Sequence, residues 1–137
     1  MLNKESFGLR KIFKRSCILV LWVLLAACSR KSTPQGVVET YLKALVDKDE
    51  TTLITLTCGD WEPQALLEYD SFSSVATSLE ELSCTSIDEQ DQQASVNCSG
   101  TIQATYGNET RQFDLQDRVY KVVHQGDNWL VCGYDRK

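Results

Sequence analysis

The six cysteines of this 137-residue chain, at positions 17, 28, 58, 84, 98 and 132, are its most chemically capable residues. A thiol can hold a metal, attack a carbonyl, carry an acyl chain or pair with a second thiol, and spacing separates these uses. A zinc site wants close ligand pairs such as C-x-x-C, with histidine as the usual complement. The chain has no C-x-x-C and His124 is its only histidine, so neither a metal nor any other cofactor is expected. A nucleophilic thiol needs a base beside it, and none stands near Cys58, Cys84, Cys98 or Cys132 in the sequence. The glycines form no phosphate-binding pattern, and no serine has the setting of a nucleophile elbow. Acylation and pairing remain.

Cys28 has the setting for acylation. Lys4, Arg10, Lys11, Lys14 and Arg15 face one acid, Glu5, and an uncharged apolar run follows over 17–27. A basic segment, an apolar run of about 7–15 residues and small residues before a cut make up a secretory signal. A spanning helix needs about 20 apolar residues, and Ser29, Arg30 and Lys31 end this run too early. The cut region, Leu25-Ala26-Ala27-Cys28, resembles the lipobox of bacterial lipoproteins. It implies a signal peptide over 1–27, a lipidated tether over 28–33 and a domain over 34–137. The plain alternative is an ordinary signal in which Cys28 is incidental. Each buried CH₂ adds about 0.8 kcal/mol and one acyl chain anchors only marginally, so a diacylglycerol-bearing cysteine would hold the chain permanently. The expected location is the cell membrane or outer membrane, facing the periplasm or cell exterior. Ser29 suits outer-membrane sorting.

The whole chain carries 14 Lys+Arg and 19 Asp+Glu; residues 1–27 hold five and one, leaving nine against eighteen after processing. An acidic surface disfavours nucleic acid. Partners are therefore sought in the membrane through the anchor, in an envelope protein, in a second copy or in a small ligand. Four cysteines in an exported domain imply two disulfides with three pairings. If strands over 82–87 and 93–106 form a hairpin, Cys84 falls opposite Cys98, close to disulfide geometry. That leaves Cys58 with Cys132; the other pairings stay open.

The elements that position these residues follow from periodicity. Thr33 suits a helix N-cap and Pro34 a first turn. Val37, Val38, Tyr41, Leu42 and Leu45 make one apolar helical face. A second short helix ends near Cys58-Gly59, and a third is plausible over 62–69; residues 70–78 read as a loop. From Leu82 the period becomes two, with strands over 82–87, 93–106, 112–124 and 129–134 and turn signals at Gly107-Asn108 and at 125–128. Helices followed by strands indicate an α+β domain: two to three N-terminal helices packed on a curved four-stranded antiparallel sheet.

The helix over 34–49 and the closing stretch over 118–132, an apolar strand, a Gly-Asp-Asn turn and Trp129-Leu130-Val131, resemble the ends of small NTF2-like (cystatin-like cone) domains of bacterial lipoproteins. The resemblance implies a cone whose enzymes use a buried carboxylate, histidine or tyrosine as base. Candidates are His124, Asp114, Asp117, Tyr106 and Tyr120. A tight turn at Gly107-Asn108 sets Ile102 against Phe113, Gly100 against Leu115 and Cys98 against Asp117. Asp117 would then lie on an apolar face, which raises a carboxyl pKa. A bulge over 116–118 would instead turn it to solvent. His124, beside a turn opposite Trp129, reads as a packing residue.

No enzyme signature emerges, so no catalytic residue is assigned. The leading expectation is a non-enzymatic envelope domain that binds a ligand or protein. The alternatives are an enzyme on a small organic molecule with Asp117 or His124 as base, and a dimerisation module using the outer sheet face. Val119 and Val123 on one side of their strand, with Tyr120 and Val122 on the other, require cover on both faces.

Overall fold

The computed structural model describes residues 32–137. The expected signal over 1–27 and Cys28 lie outside the described residues. The domain is α+β, with three helices followed by a five-stranded antiparallel sheet that is not closed. Among the described residues no helix is long and apolar enough to cross a membrane.

Helix α1 (Pro34–Asp47) starts at Thr33, whose hydroxyl accepts from the Gly36 N–H at 3.1 Å. Lys48 ends it in the left-handed region at φ 62°, and Asp49 at once caps α2 (Glu50–Thr55) by accepting from the Thr52 N–H. A cap of this kind satisfies an otherwise orphaned amide. Helix α3 (Glu62–Ser73) has Pro63 in its first turn and runs through part of the segment expected to be a loop.

Strand β1 (Ala76–Gln90) pairs with β2 (Gln93–Tyr106), with Cys84 opposite Cys98. Ile87 is an inserted residue in β1, which shifts the register beyond it by one and leaves its side chain 59% exposed. A second irregularity between Glu80 and Ser83 faces Gly100, whose φ is 118°. A Cβ at Gly100 would sit 2.7 Å from the Glu80 carbonyl oxygen, so only glycine lets the strands meet there.

The strand expected over 112–124 is two strands, which corrects four to five. β3 (Glu109–Asp114) pairs with the far half of β2, and β4 (Arg118–Gln125) pairs with its near half and with β5 (Asn128–Arg136). The break between them has a local cause. The Asp114 carboxylate accepts from the Gln116 N–H at 2.8 Å, and the Arg118 N–H donates to the Leu115 carbonyl. Such side-chain turns compete with a ladder, while fully buried Leu115 pins the corner to the core.

The helices cover one sheet face. Val38, Leu42 and Leu45 of α1 and Leu53 of α2 join Val96, Ile102, Val122 and Val131 in one core. The opposite face carries Ser95, Asn97 and Lys121 with half-buried Val119, Val123 and Leu130. Cys84–Cys98 and Cys58–Cys132 lie at disulfide distance, with Cα atoms 4.1 and 5.2 Å apart. Changing Gly100 to alanine is expected to lower stability by about 1–3 kcal/mol, read as a drop in urea midpoint. Gly107→Asn, at φ 61° with open space around it, should change stability by less than about 0.5 kcal/mol.

Candidate functional site

Between α3 and the sheet the interior stops being apolar. The inward stripe of α3 runs Ala65, Glu68, Phe72, so a carboxylate enters the core between two buried apolar residues. The inward positions of β4 are Arg118, Tyr120 and Val122, which bring a guanidinium and a phenol to the same place. Arg118 is 8% exposed. Tyr134 on β5 lies opposite Tyr120, Tyr41 comes from α1, and Trp61 precedes α3.

Glu68 organises the group. Its Oε1 accepts from the Tyr134 hydroxyl at 2.8 Å and from Arg118 Nη1 at 3.3 Å; its Oε2 accepts from the Tyr41 hydroxyl at 3.1 Å. The Arg118 guanidinium also lies over the Tyr134 ring, 4.5 Å from the centroid. Trp61 meets Tyr134 edge-on at 5.6 Å, and close approach of β5 to Trp61 is eased by Gly133 at φ 138°. The Trp61 indole N–H and the Tyr120 hydroxyl are buried with no partner in hydrogen-bonding geometry.

Burial pushes the Tyr41 phenol well up, and the Glu68 charge adds to it. Burial pushes Tyr120 up to about 12 against the opposing Arg118 charge. Tyr134 is raised by burial and then by Glu68. Burial alone would lower the Arg118 pKa, but Tyr120, Glu68 and Tyr134 outweigh it and raise it. At neutral pH the cluster therefore holds a charged guanidinium and neutral phenols. Three donors of the same chain occupy both oxygens of the carboxylate.

Of the residues expected to carry chemistry, only Tyr120 belongs to this cluster. Asp117 is exposed in the corner between β3 and β4, as the bulge over 116–118 would turn it, not on an apolar face beside a disulfide. With Asp114, Arg118, Arg136 and Phe113 it borders a depression of about 220 Å³. Asp114 is exposed and makes the corner's turn. Tyr106 is exposed, at the end of β2. His124 is half-buried, edge-on to Trp129 at 5.1 Å. Glu68, Arg118, Tyr41, Tyr134 and Trp61 were not anticipated. An acid within the apolar stripe of 65–72, and an arginine two residues before Tyr120 on one strand face, were the available signals. Among the described residues no group of three His, Cys, Asp or Glu could hold a metal.

No protein-family model matches the chain, and no curated protein matches it in sequence. Its fold is similar to the solution structure of a SEC-C motif containing protein from Rhodopseudomonas palustris. The TM-score is 0.58 at 12% identity, over 83% of this chain and 86% of that one. This likeness concerns the fold alone. It replaces the NTF2-like resemblance read from the two ends of the domain, which neither this neighbour nor the open five-stranded sheet upholds. A helix with a Tyr-Leu face and a closing hairpin of the Gly-Asp-Asn kind fit many α+β domains, which is why the ends misled.

Two measurements probe the cluster. Glu68→Ala is expected to cost about 3–5 kcal/mol, because it strands a buried guanidinium. The double change Glu68→Leu/Arg118→Met should recover most of that loss in chemical denaturation. Spectrophotometric titration should show Tyr41, Tyr120 and Tyr134 ionising above the ordinary value of 10.0. A phenol whose folded pKa is raised stabilises fully below the unfolded pKa. The contribution should thus be complete below pH 10 and fade as pH climbs through about 12.

Proposed function

We propose that this chain is a lipid-anchored cell-envelope protein whose disulfide-braced α+β domain works by binding rather than by catalysis. The anchor reading rests on Leu25-Ala26-Ala27-Cys28 at the end of an uncharged apolar run. The non-enzymatic reading rests on one observation: both oxygens of Glu68 are occupied by donors of the chain itself. A general base must be free to reach a substrate proton, and this carboxylate would first have to lose its own partners. Asp117 and His124 stand away from it with no orienting group in hydrogen-bond contact with their side chains among the described residues.

Binding then falls to the surface, to an envelope protein, a second copy or a small ligand. The outer sheet face has a shallow depression of about 370 Å³ bordered by Gln93, Ser95, Lys121 and Val123. Its mixture of polar groups with half-buried aliphatics suits a modest, partly wet contact. Catalysis on a small organic molecule has one observation on its side, the half-buried Glu68 carboxylate itself. On that reading Glu68, not Asp117 or His124, would be the base.

Replacing Cys28 with alanine is expected to abolish incorporation of labelled fatty acid and to leave the signal over 1–27 uncut. Labelled fatty acid still incorporated by Cys28→Ala would refute Cys28 as the anchor.

A further inference from the structure

The two ends of the domain are chemically and topologically distinct, and the tether joins one of them. Ser32, four residues after Cys28, accepts at its Oγ from the Trp129 backbone N–H at 3.2 Å. Trp129 opens β5 just after the β4–β5 turn. The β1–β2 turn lies at the same end, since the His124 N–H donates to the Gln92 carbonyl at 2.8 Å and Gln93 faces Val123. The start of α1 is there too, where the Ser86 hydroxyl donates to the Gln35 side chain.

The opposite end is fixed separately. The Thr77 hydroxyl donates to the Val46 carbonyl near the end of α1, and Thr77 faces Ala104 close to the β2–β3 turn at Gly107-Asn108. Strand β2 connects the two ends with 14 residues. At about 3.3 Å per residue it spans roughly 40 Å. Four residues of chain reach at most about 14 Å, so the lipid at Cys28 stays near Ser32 and cannot reach the far end.

The geometry points to an end-on posture, which rests on the lipid-anchor reading: the β1–β2 and β4–β5 turns face the bilayer, and the Gly107-Asn108 end faces away as the accessible one. Charge supports standing over lying down. Residues 28–137 carry nine Lys+Arg against eighteen Asp+Glu, so the domain as a whole is acidic. Anionic headgroups repel a long acidic flank laid within a Debye length more than the single end that the tether holds there.

The test uses the full lipidated chain in lipid nanodiscs containing a small fraction of gadolinium-chelate headgroups, read by amide NMR. The Asp91 and Asp127 amide signals should be attenuated several-fold more than that of Asn108. A membrane-bound chain in which Asn108 is attenuated as strongly as Asp91 overturns the orientation and leaves the anchor standing. A chain recovered outside the membrane fraction overturns both.

Discussion

Taking a carboxylate even partly out of water is costly unless its lone pairs are used, and three elements of this domain are arranged around meeting that need for half-buried Glu68. Tyr41 reaches it from α1, Arg118 from β4 and Tyr134 from β5. Each partner fixes one relation: the roll of α3 against α1, the depth of α3 over β4, and the position of β5 beside β4. Apolar side chains such as Leu42 or Val131 would tolerate a helix rotated by some tens of degrees. A carboxylate with three donors would not, because rotation leaves the buried Arg118 guanidinium without its partner. A buried ion pair adds little net stability; here its effect is to select one arrangement.

The disulfides act on the same arrangement from outside. Cys58–Cys132 joins the segment before α3 to β5 across a separation of 74 residues, and Cys84–Cys98 closes 14. Bonded as disulfides, these pairs would contribute about 4 and 3 kcal/mol by loop entropy. The longer link has a local role too. It holds the segment carrying Trp61 beside the strand carrying Gly133 and Tyr134, which keeps the indole packed against the cluster.

The helix N-cap at Thr33, the apolar face of α1, the hairpin around Asp91 and the Gly107-Asn108 turn were legible from sequence, because each is set by residues within one or two turns of chain. The facing of Ile102 and Phe113 was legible for the same reason. What escaped was long-range or competitive. A bulge over 116–118 was legible, but strand periodicity over 112–124 hid that it divides two strands, since one Asp side chain capturing one amide outweighs the pattern locally. Glu68 escaped because its partners lie 27, 50 and 66 residues away. Taken alone, an acid on a short helix reads as solvated.

Sheet edges pose a further constraint on a domain of this kind. An unpaired strand edge is a template for pairing with another chain, and proteins tethered as proposed would meet at high surface concentration. The β5 edge is occupied: the Val131 N–H donates to Leu56 and the Cys58 N–H donates to Val131, with the Cys58–Cys132 link beside them. Strand β1 is handled differently. Its two irregularities, near Glu81 and at Ile87, break the straight run of donors and acceptors. Between them the Cys84 N–H is bound by the Glu39 carboxylate of α1 at 3.2 Å. The β5 edge is thus engaged at Val131 and the β1 edge broken by bulges and a side chain, while β3 pairs only with β2 and keeps an outer edge. Strand addition is thereby disfavoured at β1 and around Val131, not at β3.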